Sequence, residues 1–258
     1  MTECSRGHSH IKRRDPAAPG TIPDRLQMFA REVRFYREVA PTIGIRVPGC
    51  LRAEVDSDGF TLLELEDLST WRPGADPVTA AKVLREMHSR WESTAVQTWP
   101  WLPRHDVSDL VEDLFAVRWP TIRARADVTP QTRQQGDSLV GGVRQAERES
   151  ESAGSPTLIH GDASRNNMRT SPSGEVALLD WEDFGVGPGV CDLAWFLVSS
   201  VHPREWDAAI GSYGSSEGLD RALPAAVVQA LLSLDAEEEG SPDATARMTS
   251  LAEARHWM

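Results

Sequence analysis

Between Thr157 and Glu182 the chain runs Thr157-Leu-Ile-His160-Gly161-Asp162, reaches Asn167 five positions later, and closes on Leu179-Asp180-Trp181-Glu182. Leu158-Ile159 has the apolar character of a buried strand and carries His160-Gly161-Asp162 into a loop, and Val176 to Leu179 is a second strand that carries Asp180. Ser171-Pro172-Ser173-Gly174 is turn chemistry, so its two flanks pair as a hairpin. That hairpin sets Asn167, at its entry, close to Asp180, at its exit. Two converging oxygen ligands suit a hard cation that keeps some water and takes the rest of its shell from phosphate. With the carboxylate of Asp162 on the adjoining loop, the set matches what phosphoryl transfer needs: a base for a hydroxyl and oxygen ligands for magnesium.

Taken singly, these residues carry less. An Asp after a Gly is ordinarily a turn residue, and an Asp at a strand end ordinarily caps a helix or faces solvent. The joint spacing of Asp162, Asn167 and Asp180 across a hairpin is what points to chemistry. Asp192 reads differently, as a helix cap and a support for the loop that holds Asp162.

At 258 residues the chain can bury one large core or two lobes. Its net charge of −12, from 39 acidic and 27 basic side chains, argues against a nucleic-acid or anionic-membrane surface. No run approaches the roughly 18 apolar residues of a membrane span. The first residues lack the apolar stretch of a signal peptide. Cys4, Cys50 and Cys191 are far apart with no Cys-x-x-Cys, which fits a reducing cytoplasm. Cys4, His8 and His10 lie in a polar tail without a fourth partner and do not close a tetrahedral metal site.

Pro23-Asp24 opens a helical pattern with Leu26, Ala30, Val33, Tyr36 and Ala40 on one stripe, ending before Pro41. Glu32 falls at the edge of that stripe, where it can reach a cation. Val47 to Val55 and Thr61 to Leu65 are strands joined by the turn Asp56-Ser-Asp-Gly59. After Leu68 comes a linker, and beyond it the pattern is mostly helical. Pro77 opens a helix with Ala80, Val83, Leu84, Met87 and Trp91 inward, and Val107, Leu110, Val111, Leu114 and Phe115 mark another. Residues 120 to 155 are polar and weakly patterned. Asp192 to Val201 is apolar nearly all round and therefore central, and helical patterns at 222–234 and 244–257 follow. Asp235 to Glu239 reads as a solvated acidic loop. Trp91 and Trp195 fit the core, whereas Trp99 and Trp101 either pack at the surface or line a substrate pocket.

His160-Gly161-Asp162, Asn167 and Leu179-Asp180-Trp181-Glu182 together resemble the catalytic core of the aminoglycoside phosphotransferase and choline kinase superfamily, relatives of protein kinases. Glu32 to Arg37 resembles the helix with the lysine-pairing glutamate, Leu62 to Leu68 the strand and hinge between lobes, and Asp192-Leu-Ala-Trp-Phe the helix behind the catalytic loop. The resemblance implies an α+β, two-lobed protein kinase-like fold, with a truncated small N-lobe over residues 1–68 and a mostly helical C-lobe over 69–258. It implies an ATP-dependent enzyme that moves the γ-phosphate to a hydroxyl of a small molecule, aminoglycoside-, choline- or metabolite-like. Asp162 would be the base, Asn167 and Asp180 the magnesium ligands, and the backbone of Glu66, Asp67 and Leu68 the contact for adenine. Arg165 either neutralises charge on the transferring phosphoryl group or faces solvent. Lys12 either pairs with Glu32 or is a solvated tail charge. Protein kinases carry an Arg where this chain has Gly161 and a long segment where it has only Gly185-Val-Gly-Pro-Gly189, so a peptide acceptor is not expected. With few residues and one glycine, Gly7, before Lys12, no glycine-rich phosphate loop is expected: the start is truncated or the loop is absent. That departure keeps open a second reading, a nucleotide-binding or scaffold relative that has lost activity.

Overall fold

A computed structural model describes residues 9–102 and 107–258; Cys4, Gly7 and His8 lie outside them. The first lobe is β1 (Ser9–Arg14), α1 (Ile22–Arg25), α2 (Met28–Arg34) running on into a π-helical turn (Phe35–Val39), β2 (Cys50–Val55) and β3 (Thr61–Glu66). The strands form an antiparallel sheet in the order β1-β3-β2, with Lys12 opposite Leu63. Thr61, Leu63 and Leu65 are buried while their neighbours are not, the period of two that seats one sheet face against α2. His10 to Arg14 is a strand although it is polar, because as an edge strand it buries little.

The helix expected from residue 24 to 40 is interrupted. Gln27 adopts a left-handed backbone (φ 50°) that separates α1 from α2. Phe35, Tyr36 and Val39 of the π turn are all buried. Phe35 stacks on Trp181 with ring centroids 4.2 Å apart, tying the turn to the second lobe. The strand expected from Val47 begins only at Cys50. The residues before it cross to the other lobe, where the Arg46 carbonyl accepts from the Leu178 N–H at 3.0 Å.

The second lobe follows as β4 (Arg72–Pro73), α3 (Pro77–Trp91), α4 (Ala95–Thr98), α5 (Ser108–Ala124), α6 (Pro130–Leu139), α7 (Val143–Glu151), β5 (Pro156–Ile159), β6 (Met168–Thr170), β7 (Val176–Leu178), β8 (Gly185–Pro188), α8 (Gly189–Ser200), α9 (Trp206–Tyr213), α10 (Leu219–Ser233) and α11 (Pro242–Trp257). Asp76 caps α3 by accepting from the Thr79 N–H. β6 and β7 form the expected hairpin, with Met168 opposite Leu178 and β4 on its outer edge. The glycine-rich stretch expected as a connector is strand β8, paired antiparallel with β5. Gly187 lets the Ile159 side chain pack on the strand, where a Cβ would sit 3.0 Å from Ile159 Cδ1.

α8 is the central helix, buried from Gly189 to Val198 except at Cys191, and α10 packs along it. The inward stripe of α5 is Phe115, Trp119 and Ile122 rather than the run around Leu110, and Leu114 is exposed. Trp119 stacks on Phe115 and fits over Gly136 of α6, where a side chain would collide with the indole. The acidic loop at 235–239 is tied down by Arg118 on Asp235, Arg247 on Glu237 and Arg125 on the carbonyls of Leu234 and Glu237.

α7 turns the partly buried Glu147 toward the core, and burial, helped by Glu151, pushes its carboxyl up to about 7. A raised carboxyl stabilises the fold fully below its unfolded value near ~4.3, and that contribution is lost as pH rises through 7. Glu147→Gln is therefore expected to raise Tm by about 3 °C at pH 8 and to give no gain at pH 5, measured by thermal melts across that range.

Candidate active site

β5 ends at Ile159 and releases His160-Gly161-Asp162 into a loop whose shape is set from below by α8. Asp192, fully buried in the first turn of α8, accepts from the N–H of His160 at 2.7 Å, the N–H of Gly161 at 2.9 Å and His88 Nε2 at 3.0 Å. It makes no cap bond to its own helix; the capping expected of it is replaced by this grip on the loop. Burial alone would raise the Asp192 carboxyl, but His88 and the His160 amide hold it below the usual carboxylate range. His88 Nδ1 in turn meets the Tyr213 hydroxyl at 2.9 Å, which orients the imidazole.

Gly161 has φ +83°, and a Cβ there would collide with the carbonyl oxygen of Asp183. Only glycine allows loops 160–162 and 180–184 to approach this closely. The His160 ring donates from Nε2 to the Leu179 carbonyl at 2.8 Å and accepts at Nδ1 from the Asp162 N–H at 3.3 Å, so its partners define the Nε2–H tautomer. It thereby links both loops.

Asp162 is held at both carboxylate oxygens. Trp195 Nε1 donates to Oδ1 at 2.6 Å and Asn167 Nδ2 to Oδ2 at 2.8 Å. Trp195 was legible only as a core residue, although it follows Asp192 by one helical turn and so faces the same loop. Asn167 sits in a single 3₁₀ turn before β6, and its backbone carbonyl accepts from the Leu179 N–H at 2.8 Å, bringing the entry and exit of the hairpin together. With its amide nitrogen on Asp162, the Asn167 side-chain oxygen keeps no partner among the described residues.

Lys12 projects from β1 onto three carboxylates. Its ammonium lies 2.7 Å from Glu32 and 2.8 Å from Asp180, and it also pairs with Glu182, which Arg14 holds at 2.6 Å. Glu32 is 2 % exposed, inside the stripe rather than at its edge. Burial drives the Glu32 carboxyl up to about 7, with Lys12 opposing. Burial also works against the Lys12 charge, but Glu32 and Asp180 outweigh it and the ammonium is held above its ordinary value. Asp180 has φ +58°, a left-handed conformation uncommon outside glycine, and leaves 44 % of its side chain open.

The oxygens of Glu32, Asp180 and Glu182 lie within 4.8 Å of one another. Glu32 is committed to Lys12 and the Trp181 N–H, and Glu182 to Lys12 and Arg14, so Asp180 has the room. Its carboxylate and the Asn167 carbonyl make an all-oxygen donor set that fits magnesium.

At the hinge, Glu66 turns its side chain to Arg46, at 2.5 Å, and to the Gly49 N–H. Its own N–H donates to Gly49, and the Leu68 carbonyl accepts from Trp71. The Leu68 N–H keeps no partner among the described residues. Asp67 closes a turn onto Ser69. Arg165 is exposed and packs over Gly74, and among the described residues its side chain makes no hydrogen bond or ion pair with Asp162, Asn167 or Asp180. Trp99 is buried against Trp91, whereas Trp101 lies under Arg34 and against Phe184, beside the 180–184 loop. No helix among the described residues is long and apolar enough to cross a membrane.

A small sheet with a lysine–glutamate pair, a helical lobe, and the Asp162 loop beside the hairpin that leads to Asp180 define the kinase-like class of phosphotransferases. Residues 14–227 match the sequence profile of the phosphotransferase enzyme family, and the chain belongs to that family of small-molecule phosphotransferases. Solved structures agree on the fold. An aminoglycoside phosphotransferase from Streptomyces rimosus, complexed with ADP and streptomycin, is 17 % identical with TM-score 0.59, covering 87 % of this chain and 86 % of its own. A microcompartment-associated aminopropanol kinase is 17 % identical with TM-score 0.56, covering 97 % and 84 %. A choline kinase from Streptococcus pneumoniae is 13 % identical with TM-score 0.55, covering 98 % and 88 %. A search of curated protein sequences gave no significant match.

Proposed function

We propose that the chain transfers the γ-phosphoryl group of ATP to a hydroxyl of a small molecule, with Asp162 as base. The observation that carries this reading is the held carboxylate of Asp162. Trp195 and Asn167 each donate to one oxygen, which fixes the group while leaving lone pairs for an incoming hydroxyl. That hydroxyl gives its proton to Asp162 as its oxygen attacks phosphorus, and ADP leaves on the opposite side. Lys12, kept protonated by Glu32 and Asp180, is the cation available to nucleotide phosphates. Asn167 and Asp180 would hold magnesium, which when bound screens the phosphate charge. The Leu68 N–H would meet the base edge at the hinge.

The short interval from Asp180 to Asp192, filled by a buried strand, leaves no platform for a peptide and favours a small acceptor. Of the two tryptophans read as surface or pocket residues, Trp101 packs beside the site through Phe184, while Trp99 is turned into the core.

An acceptor panel with magnesium and ATP tests this. Phosphorylated small alcohols, with no transfer to generic protein substrates, are the expected result. Peptide phosphorylation that vanishes in Asp162→Asn would overturn the acceptor class. Nucleotide binding without turnover of any acceptor would favour the inactive relative.

A further inference from the structure

Helix α2 presents two consecutive buried charged side chains to one loop. Glu32 Oε1 accepts from the Trp181 N–H at 3.3 Å, and Arg31 Nη2 donates to the Glu182 carbonyl at 2.9 Å. The helix thus grips the backbone of the loop at a donor and at an acceptor one residue apart. Glu32 is accounted for by Lys12. Arg31 is not: it is 7 % exposed, and its Nε and Nη1 are buried with no partner among the described residues.

Unpaired buried guanidinium N–H groups are costly, and an apolar side chain would fill this space without that cost. What the arginine adds is its bond to Glu182 and its charge. The guanidinium lies 5.6 Å from the centroid of the Phe184 ring. Asp183 is the carboxylate whose field reaches it, against the burial that pulls the Arg31 charge down. Asp183 is also the residue whose carbonyl abuts Gly161, next to Asp162. Loop 180–184 is therefore sandwiched between α2 and the loop that carries the base.

We propose that Arg31 is a positioning residue for phosphoryl transfer, clamping loop 180–184 to α2 so that the helix sets the place of Asp180 and of the backbone against Gly161-Asp162. The clamp itself is independent of the catalytic reading, and its role in phosphoryl transfer rests on it. Lys12 holds the loop by its carboxylates; Arg31 and Glu32 hold it by its main chain. A shift of α2 is transmitted to both the metal-ligand side and the base side.

Two measurements on the full-length protein test it. Hydrogen exchange without ligand should show the amides of Trp181 to Phe184 exchanging at least about tenfold faster in Arg31→Met, with β5 and α8 unchanged. Calorimetry with ATP should show the magnesium-dependent part of the affinity falling by about tenfold or more, with metal-free binding and Tm little altered. Arg31→Lys, which can still reach the Glu182 carbonyl, should recover part of both. Unchanged loop exchange in Arg31→Met would overturn the clamp. So would faster exchange throughout the protein that Arg31→Lys does not repair, which would mark a packing role. Wild-type protein that binds no ATP would defeat the phosphotransferase reading, while the exchange result would still decide whether Arg31 holds the loop.

Discussion

Asp162→Asn is expected to slow phosphoryl transfer by about 10²–10⁴ while the affinity for magnesium and ATP changes by only a few fold. The loss has two parts. A carboxamide does not accept the acceptor's proton, and it also does not satisfy its neighbours. Trp195 Nε1 and Asn167 Nδ2 both donate to this group, so the amide NH₂ must face one of them donor to donor. Trp195→Phe isolates the second part, because it removes one donor and leaves the carboxylate; its expected cost is about tenfold in kcat. Steady-state kinetics with an acceptor from the panel, alongside calorimetric nucleotide titrations, measures both. Full activity in Asp162→Asn would remove this residue from the chemistry.

Asp192→Ala carries the largest expected effect on stability, about 3–5 kcal/mol, or roughly 10 °C in Tm. Three buried donors converge on this carboxylate, and alanine leaves the N–H groups of His160 and Gly161 and the ring of His88 without an acceptor. The pH dependence identifies the cause. The Asp192 carboxyl is held below its ordinary value, so its contribution is present above about pH 4 and lost as pH falls through the lowered value. Wild type and variant should therefore converge in acid. Glu32, held up to about 7, and Asp183, pushed up to about 6 by burial and by Asp162, act in the opposite sense and lose their contribution as pH rises through those values. Chemical denaturation followed from pH 8 down into acid separates the two; a gap between wild type and variant that does not narrow as the pH falls would place the loss elsewhere.

Much of the site was legible because its parts are local in sequence. Asn167 and Asp180 flank one hairpin closed by the turn at Ser171 to Gly174, and Asp162 lies on the loop that leads into it. The helical lobe was legible for the same reason, since α3 and α8 write their stripes in contiguous residues. What stayed hidden depends on distant packing. Strand β8 reads as a glycine connector because its partner β5 lies on the far side of the hairpin. The π turn after α2 carries Phe35, whose stacking partner Trp181 lies far along the chain, and no local period announces that contact. Lys12 was ambiguous because an edge strand needs no apolar pattern; three carboxylates from elsewhere in the chain resolve its surroundings. Trp195 reads as a core residue and Arg31 carries no local signal, since their partners are a carboxylate about thirty and a carbonyl more than a hundred positions away.

The main chain passes between the lobes more than once. It leaves the small sheet after the π turn, docks on the large lobe where Trp91 donates to the Ile43 carbonyl and Leu178 to that of Arg46, returns to build β2 and β3, and leaves again past Glu66. A door hung on one pin swivels in any direction, whereas a second pin confines it to the line through both. The small sheet, joined to the helical lobe at Arg46 as well as through the 66–71 segment, is held in the same way.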